Sequence, residues 1–209
     1  MPAHDDGPSD SLTAQGRRTR AALVEAAETV FARRGYARAR IGDVTDEAGV
    51  SVGTFYSYFT SKEAIFADVA AAYRHRLRTG LADAPDGGDA PGGGGAPAIR
   101  DLNLRYLDVF AENPRLWRVM EEAALSMPEL RPAVAGCRRE FTDAALAVVA
   151  RASGAVPDAA LTALALTAMS EQCAVQWFTG DPPPPGARAD AAGRLTEMWA
   201  RMLGIGEPA

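Results

Sequence analysis

Cysteine and histidine are scarce in this chain of 209 residues, which contains two of each. Cys137 and Cys173 lie far apart and fit no metal-ligand or paired-thiol spacing, so we expect reduced thiols in a cytosolic protein and no metal site. Runs of about 18 apolar residues are also absent, and no apolar run follows a basic N-terminal start. The sequence therefore predicts neither an exported nor a membrane-spanning protein.

The residue patterns that enzymes need are missing as well. His4 lies in a Pro-, Gly- and Asp-rich N-terminal stretch, and His75 lies on an arginine-rich segment. Glu121 and Glu122 are adjacent, so on a helix they point to different sides and cannot act as a carboxylate pair. Because no nucleophile-base pair or phosphate loop is recognisable, we expect no enzyme activity and no cofactor.

Strand signals are equally weak, because β-branched residues do not alternate with polar ones over any long run. Helical periodicity dominates instead, and hydrophobic residues make up 47% of the chain, enough for a packed core. The sequence predicts an all-α protein with about nine helices. Their expected ranges are 17–34, 41–48, 51–58, 60–78, 99–112, 114–125, 126–152, 159–179 and 187–203.

Three interruptions in this pattern divide the chain. Residues 1–16 have the composition of a disordered arm, residues 80–97 form a Gly/Pro-rich loop, and residues 181–186 (DPPPPG) form a stiff, extended break. We therefore expect a helix-turn-helix domain at 17–62, a connecting helix at 63–79 and a second helical domain at 98–205.

Charge is distributed unevenly along the chain. The whole sequence carries a formal net charge of -5, whereas residues 15–62 contain eight basic and five acidic side chains. A basic N-terminal region on an acidic body is suited to local binding of phosphate groups.

The informative stretch is 35–66, in which two short helices flank the turn Ala48-Gly49-Val50-Ser51. A small core can form from apolar positions of all three helices: Ile41, Val44, Ala48, Val50, Phe55 and Phe59 against Leu23, Val30 and Phe31. Small residues would then face outward at the start of the third helix, where they allow close approach to base edges. Hydroxyl groups on that face can bind phosphate oxygens, and Thr60-Ser61-Lys62-Glu63 has the T-x-x-E form of a capping box.

The segment AGVSVGTFYSYFTSKE (48–63) resembles the TetR family of bacterial regulators, and residues 17–68 as a whole are similar to it. The resemblance implies a recognition helix at 51–58 and a DNA-contact set comprising Arg40, Ser51, Val52, Gly53, Thr54, Tyr56, Tyr58 and Lys62. Tyr56, Tyr58 and Lys62 would contact phosphates, and Val52 and Thr54 would face base edges. Ala39-Arg40 replaces the family's usual Thr-Ser or Thr-Thr pair, so a side-chain cap is lost and Arg40 is free to reach the DNA backbone. Thr45 lies at a position where the family commonly has a small apolar residue.

A simpler interpretation exists for these residues. Tyr56, Tyr58 and Phe59 could form an aromatic cluster in a helical core, which is the common fate of aromatic side chains. The arginines at 17, 18 and 20 could contact DNA or lie on a solvated helix end.

A regulator of this type works as a homodimer, because two recognition helices must reach half-sites about 34 to 36 Å apart. The last two helices are apolar around much of their circumference, which favours them as the dimer interface. The predicted interface residues are Leu161, Ala165, Ala168, Leu195, Met198, Trp199 and Met202.

The C-terminal domain also contains large apolar residues with a few polar groups among them, as small-molecule pockets do. The predicted ligand-lining residues are Tyr106, Phe110, Trp117, Met120, Glu121, Phe141, Gln172, Cys173, Gln176 and Trp177. Each of these could instead fill the core, and Gln172 and Gln176, one turn apart, could lie in solvent or in an interface.

Together these patterns predict a regulator, a repressor by resemblance, that binds palindromic double-stranded DNA as a dimer and is released by a small organic ligand. A rival is a helical ligand-binding or interaction protein whose DNA-binding region is vestigial. A third hypothesis is an enzyme in the C-terminal body.

Overall fold

We analysed a computed structural model, which describes residues 13–82, 95–151, 156, 158–180 and 187–205. Within these residues the secondary structure is helical and contains no strand, which confirms the all-α prediction. A 3-10 turn (Pro128–Leu130) accompanies the α-helices, which are α1 (Ala14–Arg34), α2 (Ile41–Ala48), α3 (Val52–Tyr56), α4 (Lys62–Ala82), α5 (Ala96–Glu112), α6 (Pro114–Ser126), α7 (Arg131–Arg151), α8 (Ala159–Thr179) and α9 (Ala187–Met202).

Backbone contacts divide the chain into two compact units that meet between Val69 and Ala70, within α4. The first unit begins with α1, whose N-terminus is capped by Thr13: its Oγ1 accepts the Gly16 N–H at 3.1 Å. This cap starts the helix at Ala14, so the predicted arm, which extended to residue 16, was too long. Residues 1–12 of that arm lie outside the described residues.

The core of the first unit follows the predicted apolar pattern. Leu23, Val30 and Phe31 of α1, Val44 of α2 and the aromatic pair Phe55 and Phe59 are all buried. Ile41, Ala48 and Val50 are half-buried. The three helices therefore enclose a small apolar centre that fixes the orientation of α3.

The N-cap of α4 differs from the prediction by one residue. Ser61, and not Thr60, caps this helix, because the Ala64 N–H donates to Ser61 Oγ at 3.2 Å while Thr60 is exposed. The helix also continues to Ala82, through Gly80 and Leu81, whereas the predicted Gly/Pro-rich loop begins at residue 80. Leu81 is buried, and this apolar contact extends the helix beyond the expected end. Residues 83–94 of the predicted loop lie outside the described residues.

In the second unit α5 packs on α9, and α7 packs on α8. A chain of buried hydrogen bonds joins three of these helices. The Trp199 indole N–H donates to Ser170 Oγ (3.1 Å), Ser170 Oγ donates to Asn103 Oδ1 (3.2 Å), and the Asn103 amide donates to the Ile99 carbonyl (3.1 Å). Buried polar groups that are satisfied in this way favour one particular packing of the helices.

The segment between α6 and α7 also differs from the prediction. Ser126 is the last residue of α6 and does not cap the following helix. The Met127 N–H donates to the Ala123 carbonyl at 2.8 Å, which is the last hydrogen bond of α6, and the 3-10 turn then separates α6 from α7. Pro128 supplies no backbone donor, which suits it to begin this new turn. The predicted breaks at 153–154 and 181–186 lie outside the described residues.

Candidate nucleic-acid interface

The α2–turn–α3 segment of the first unit is a helix-turn-helix. Gly49 adopts the left-handed conformation (φ 66°), and the Val50 N–H donates to the Thr45 carbonyl at 3.0 Å. Thr45 is buried, but its hydroxyl donates to the Gly42 carbonyl at 2.9 Å. The hydroxyl at this position is therefore satisfied, and it does not disturb the packing of α2.

The α3 helix is short and its N-terminus is capped. The Thr54 N–H donates to Ser51 Oγ at 3.0 Å, and the two hydroxyl groups lie 2.9 Å apart. Phe55 anchors the helix, with no exposed surface, whereas Val52 is 47% and Tyr56 is 56% exposed. The buried anchor and the exposed opposite face together present α3 outward.

The remaining predicted residues of α3 divide between the two faces. Gly53 is exposed, and Thr54 and Tyr58 are half-buried. Phe59 is buried and contacts Phe55, with ring centroids 5.6 Å apart. The aromatic-core interpretation thus describes Phe59 but does not describe Tyr56.

The N-terminus of α2 compensates for the missing side-chain cap. The Asp43 carboxylate accepts the backbone N–H of Arg40 at 2.9 Å, and its other oxygen pairs with Arg34 at 3.0 Å. The guanidinium group of Arg40 is exposed and forms no ion pair with any described residue. Asp43 was not among the predicted site residues, although an acid two positions after the first residue of a helix is a recognisable capping signal.

Lys62 lies close to the loop between α1 and α2. Its Nζ donates to the backbone carbonyls of Tyr36 (3.0 Å) and Ala39 (3.1 Å) and lies 4.3 Å from the centroid of the Tyr36 ring. The Tyr36 hydroxyl in turn donates to Glu63 Oε1 at 2.9 Å. The pKa of Glu63 is lowered, first by its own backbone N–H and then by the Ser61 hydroxyl. Lys62 was predicted as a phosphate contact, and the sequence contained no signal for these carbonyl contacts.

Two basic residues near the N-terminus of α1 differ in their surroundings. Arg20 pairs with Asp68 of α4 and lies over the Phe59 ring, 5.0 Å from its centroid. Burial raises the pKa of Asp68, an effect that the Arg20 guanidinium opposes. Arg18 is exposed. Arg20 therefore has a partner within its own unit, and contact of Arg18 with DNA stays a prediction.

In the second unit, the predicted ligand-lining residues fall into three groups. Gln172 and Gln176 are exposed, so they are not the buried amide pair that would require a polar ligand group. Glu121, Cys173 and Trp177 are half-buried. The buried members are Tyr106, Phe110, Trp117, Met120 and Phe141.

The buried aromatic side chains form two groups, one around Tyr106 and one around Trp117. The rings of Tyr106 and Phe141 stack with their centroids 3.8 Å apart, and Tyr106 and Phe110 lie 6.1 Å apart. Trp117 stacks on Tyr73 at 5.8 Å. The indole N–H of Trp117 is buried and finds no acceptor among the described residues, so it is available to a polar group that enters this region.

A charged network that the sequence did not reveal lies beside the group around Trp117. Arg138 of α7 donates to Glu121 at 2.8 Å and to both carboxylate oxygens of Glu171, at 2.9 and 3.2 Å. Its guanidinium carbon lies 5.5 Å from the centroid of the Trp117 ring. Burial raises the pKa of Glu121, and the nearby Glu171 carboxylate raises it further. Arg138 and Glu121 border a groove of about 500 Å³ that Leu125, Val134 and Val175 also line.

The predicted dimer-interface residues require one correction. Leu195 and Trp199 have no exposed surface in the single chain, where the Trp199 indole N–H donates to Ser170 of α8, so neither side chain can contact a second copy. The other predicted interface residues, together with Leu164 of α8, are exposed: Leu161 (61%), Leu164 (46%), Met198 (49%), Met202 (58%), Ala165 and Ala168.

No three His, Cys, Asp or Glu side chains in the described part of the chain lie together as a metal site would require. Among the described helices, none combines the length and the apolar character that crossing a bilayer requires.

A helix-turn-helix with an exposed second helix defines the protein as a DNA-binding transcriptional regulator. Residues 23–69 match the model of the bacterial regulatory proteins of the tetR family. The helix-turn-helix region is therefore similar to that of the TetR family, as the resemblance in the sequence had predicted.

Individual relatives extend this similarity over most of the chain. The HTH-type transcriptional regulator EthR of Mycolicibacterium smegmatis is 27% identical over 208 residues, which cover 93% of this chain and 94% of EthR. A TetR-like transcriptional regulator from Rhodococcus sp. RHA1 shares the fold with a TM-score of 0.71 at 23% identity, covering 90% of this chain and 97% of that one. The regulator FadR of Bacillus subtilis, solved in complex with stearoyl-CoA, has a TM-score of 0.65 at 14% identity, covering 90% and 99%.

Proposed function

We propose that this protein is a homodimeric repressor that binds a palindromic operator through α3 and is released when a small organic ligand binds its second unit. The observation that carries the proposal is the outward face of α3, where Val52 and Tyr56 are exposed around the buried anchor Phe55. An operator lies on chromosomal DNA, so the proposed place of action is the cytoplasm.

In the proposed complex, α3 enters the major groove with Val52 and Thr54 nearest to the base edges. Gly53 has no side chain, and an added Cβ would meet only Ser51 Oγ, at 3.6 Å, so the backbone here can approach DNA closely. Tyr56 and Tyr58 supply hydroxyl donors to phosphates, and Arg40 supplies a cation. Contacts to phosphate make binding dependent on salt.

The exposed apolar residues of α8 and α9 support the proposed dimer. Leu161, Leu164 and Ala168 recur at helical spacing along α8, and Met198 and Met202 lie one turn apart on α9. Exposed Leu and Met side chains at this density favour burial against a second copy. A dimer also accounts for palindromic recognition, because a two-fold axis presents two α3 helices to two half-sites.

The proposed ligand site lies around Trp117 in the second unit. The aromatic group around Trp117 offers an apolar surface, while the unpaired Trp117 N–H and the Arg138–Glu121 pair offer polar contacts. A ligand that favours one dimer geometry over the other would shift the equilibrium towards the form that cannot span both half-sites. The complex of FadR with stearoyl-CoA is an example of this fold holding a molecule with a long apolar chain.

The proposal is tested by fluorescence anisotropy with labelled duplex DNA from the region upstream of the protein's own coding sequence. We expect binding that weakens steeply as salt is raised, and a loss of affinity in Tyr56→Ala but not in Thr29→Ala, an exposed change on α1. Absence of salt-dependent binding to this DNA would refute the proposed operator.

A transcription assay in cells that carry the gene distinguishes a repressor from an activator. Deletion of the gene should raise expression from the bound promoter, whereas a fall would identify an activator. If Tyr56→Ala leaves every cellular phenotype of the protein unchanged, the rival interpretation as a ligand-binding protein with a vestigial DNA-binding region would be favoured.

A further inference from the structure

Lys62 donates two of its three N–H groups to the protein itself. One goes to the Tyr36 carbonyl at 3.0 Å and the other to the Ala39 carbonyl at 3.1 Å, while the Tyr36 ring lies 4.3 Å from the ammonium group. These contacts direct the charge of Lys62 towards the loop between α1 and α2. At most one N–H is left for a phosphate.

The peptide unit that joins Ala39 to Arg40 is held at both of its polar atoms. Its carbonyl oxygen accepts from Lys62, and its N–H donates to the Asp43 carboxylate at 2.9 Å. Because a peptide unit is planar, fixing both polar atoms fixes its plane and the position of the Arg40 Cα. The Arg40 carbonyl also accepts the Val44 N–H at 3.3 Å, so the peptide on the other side of this Cα is held too, and the two together set the direction in which the Arg40 side chain leaves the backbone. Ala39 is also buried, which limits movement of the preceding residue.

The residue whose position depends on this fixed peptide is Arg40. Its guanidinium group is exposed and forms no ion pair within the described chain, whereas Arg33 and Arg34 in the same unit pair with Glu47 and Asp43. An arginine whose backbone is already fixed loses less conformational entropy when it binds a phosphate. Because its charge is uncompensated, no ion pair has to be broken first.

We propose that Lys62 is a positioning residue, which acts on DNA binding through the Ala39–Arg40 peptide and not through a phosphate contact of its own. Asp43 has the same role from the other side of that peptide. The inference rests on the proposed contact of Arg40 with DNA, and it adds a route by which a lysine outside α3 controls that contact.

A double-mutant cycle on the full-length chain tests the inference, with labelled upstream duplex DNA as the probe and the salt dependence of binding as a second readout. Arg40→Ala should lower the slope of log affinity against log salt by about 0.9, the value for one phosphate. Lys62→Met should weaken binding by a similar factor and lower the slope by a similar amount. In the Arg40→Ala background, Lys62→Met should change the affinity by less than about twofold, because both variants then lack the same contact.

Asp43→Ala is the matched variant, because it replaces an anion where Lys62→Met replaces a cation. It removes an anion and releases Arg34, so charge alone would strengthen binding to DNA. The positioning role instead requires weaker binding, and only in the presence of Arg40. Hydrogen exchange of the Arg40 amide should be faster in Lys62→Met and in Asp43→Ala, and this readout does not depend on DNA. If Lys62→Met does not fold, Asp43→Ala in both backgrounds decides the question.

Several results would overturn the inference. A slope lowered by about 0.9 by Lys62→Met in both backgrounds would show a direct phosphate contact. An equal loss of affinity in both backgrounds with unchanged slope would show a general structural role, and tighter binding by Asp43→Ala would show a charge effect. An Arg40→Ala variant with unchanged affinity would remove the contact on which the inference rests. Each of these differs from failure of the unaltered protein to bind the DNA, which refutes the proposed function itself.

Discussion

Substitution of Trp199 by Ala should destabilise the second unit severely, and the neighbouring Met198→Ala should not. Trp199 has no exposed surface, and its indole N–H donates to Ser170 at 3.1 Å. Removal of a buried Trp side chain costs about 3 to 5 kcal/mol, which is a large part of the 5 to 15 kcal/mol that typically stabilises a domain. For a chain of this size the loss corresponds to a fall in Tm of roughly 6 to 20 °C.

Met198 provides the matched control on the same helix. Its side chain is 49% exposed in the single chain, so about half of its burial, on the order of 1 kcal/mol per protomer, remains to be gained in the proposed dimer. Two protomers would then lose about 2 kcal/mol of association free energy, a change in the dimer Kd of about thirtyfold.

Thermal unfolding and size-exclusion chromatography over a range of protein concentrations distinguish the two effects. The destabilisation by Trp199→Ala should persist at every concentration, since it belongs to the folded subunit. The effect of Met198→Ala should appear on dilution and disappear at high concentration, because association stabilises a dimer by mass action. A Trp199→Ala deficit that vanishes at high concentration would show that Trp199 does lie in the interface and that our assignment to the core is wrong.

Three further outcomes follow from the geometry. Gly49→Ala places a Cβ on a residue with a φ of 66°, so unfolding experiments should show a loss of about 1 to 2 kcal/mol; an unchanged midpoint would contradict the strain. The pKa of Glu63 is lowered in the folded chain, so the stabilisation by its carboxylate is present above its ordinary pKa and is lost as pH falls through the lowered value. Glu63→Gln should therefore reduce the loss of stability at acid pH, measured by urea titration. An unaltered pH profile would exclude this contribution. Burial raises the pKa of Cys137 to about 12, so iodoacetamide at mildly alkaline pH should label it only after unfolding, and more slowly than the half-buried Cys173; equal rates would refute its protection.

Local sequence patterns predicted the helices well because their determinants are local. The end of α1 at Gly35 and the turn at Gly49 follow from two glycines that adopt positive φ angles, 77° and 66°. The buried and exposed faces of α3 also follow from residue type, since Phe55 is buried and Tyr56 is not. The start of α1 lies three residues before the predicted one, an error typical of helix ends. At α4 the adjacent hydroxyl residues Thr60 and Ser61 compete for the capping role, and the cap is one residue later than predicted.

The functional assignments of single residues were less predictable, because they depend on partners distant in sequence. The carbonyl groups that Lys62 contacts belong to residues 26 and 23 positions earlier, and no periodicity relates them. Arg138 meets Glu171 across 33 residues. Trp199 and Met198 are adjacent in sequence and similar in apolar character, yet one is buried and the other is half exposed.

The sequence by itself determined the all-helical class, the helix-turn-helix and the outward face of α3, since capping residues, glycine turns and apolar periodicity act within a few positions of one another. The tertiary structure alone decided which face of α9 is core, that both glutamines of α8 are exposed and where the Lys62 ammonium group lies. All three depend on how separate helices pack. A helix that is apolar on several sides can bury any of those sides, and the helix that packs against it determines which one is buried.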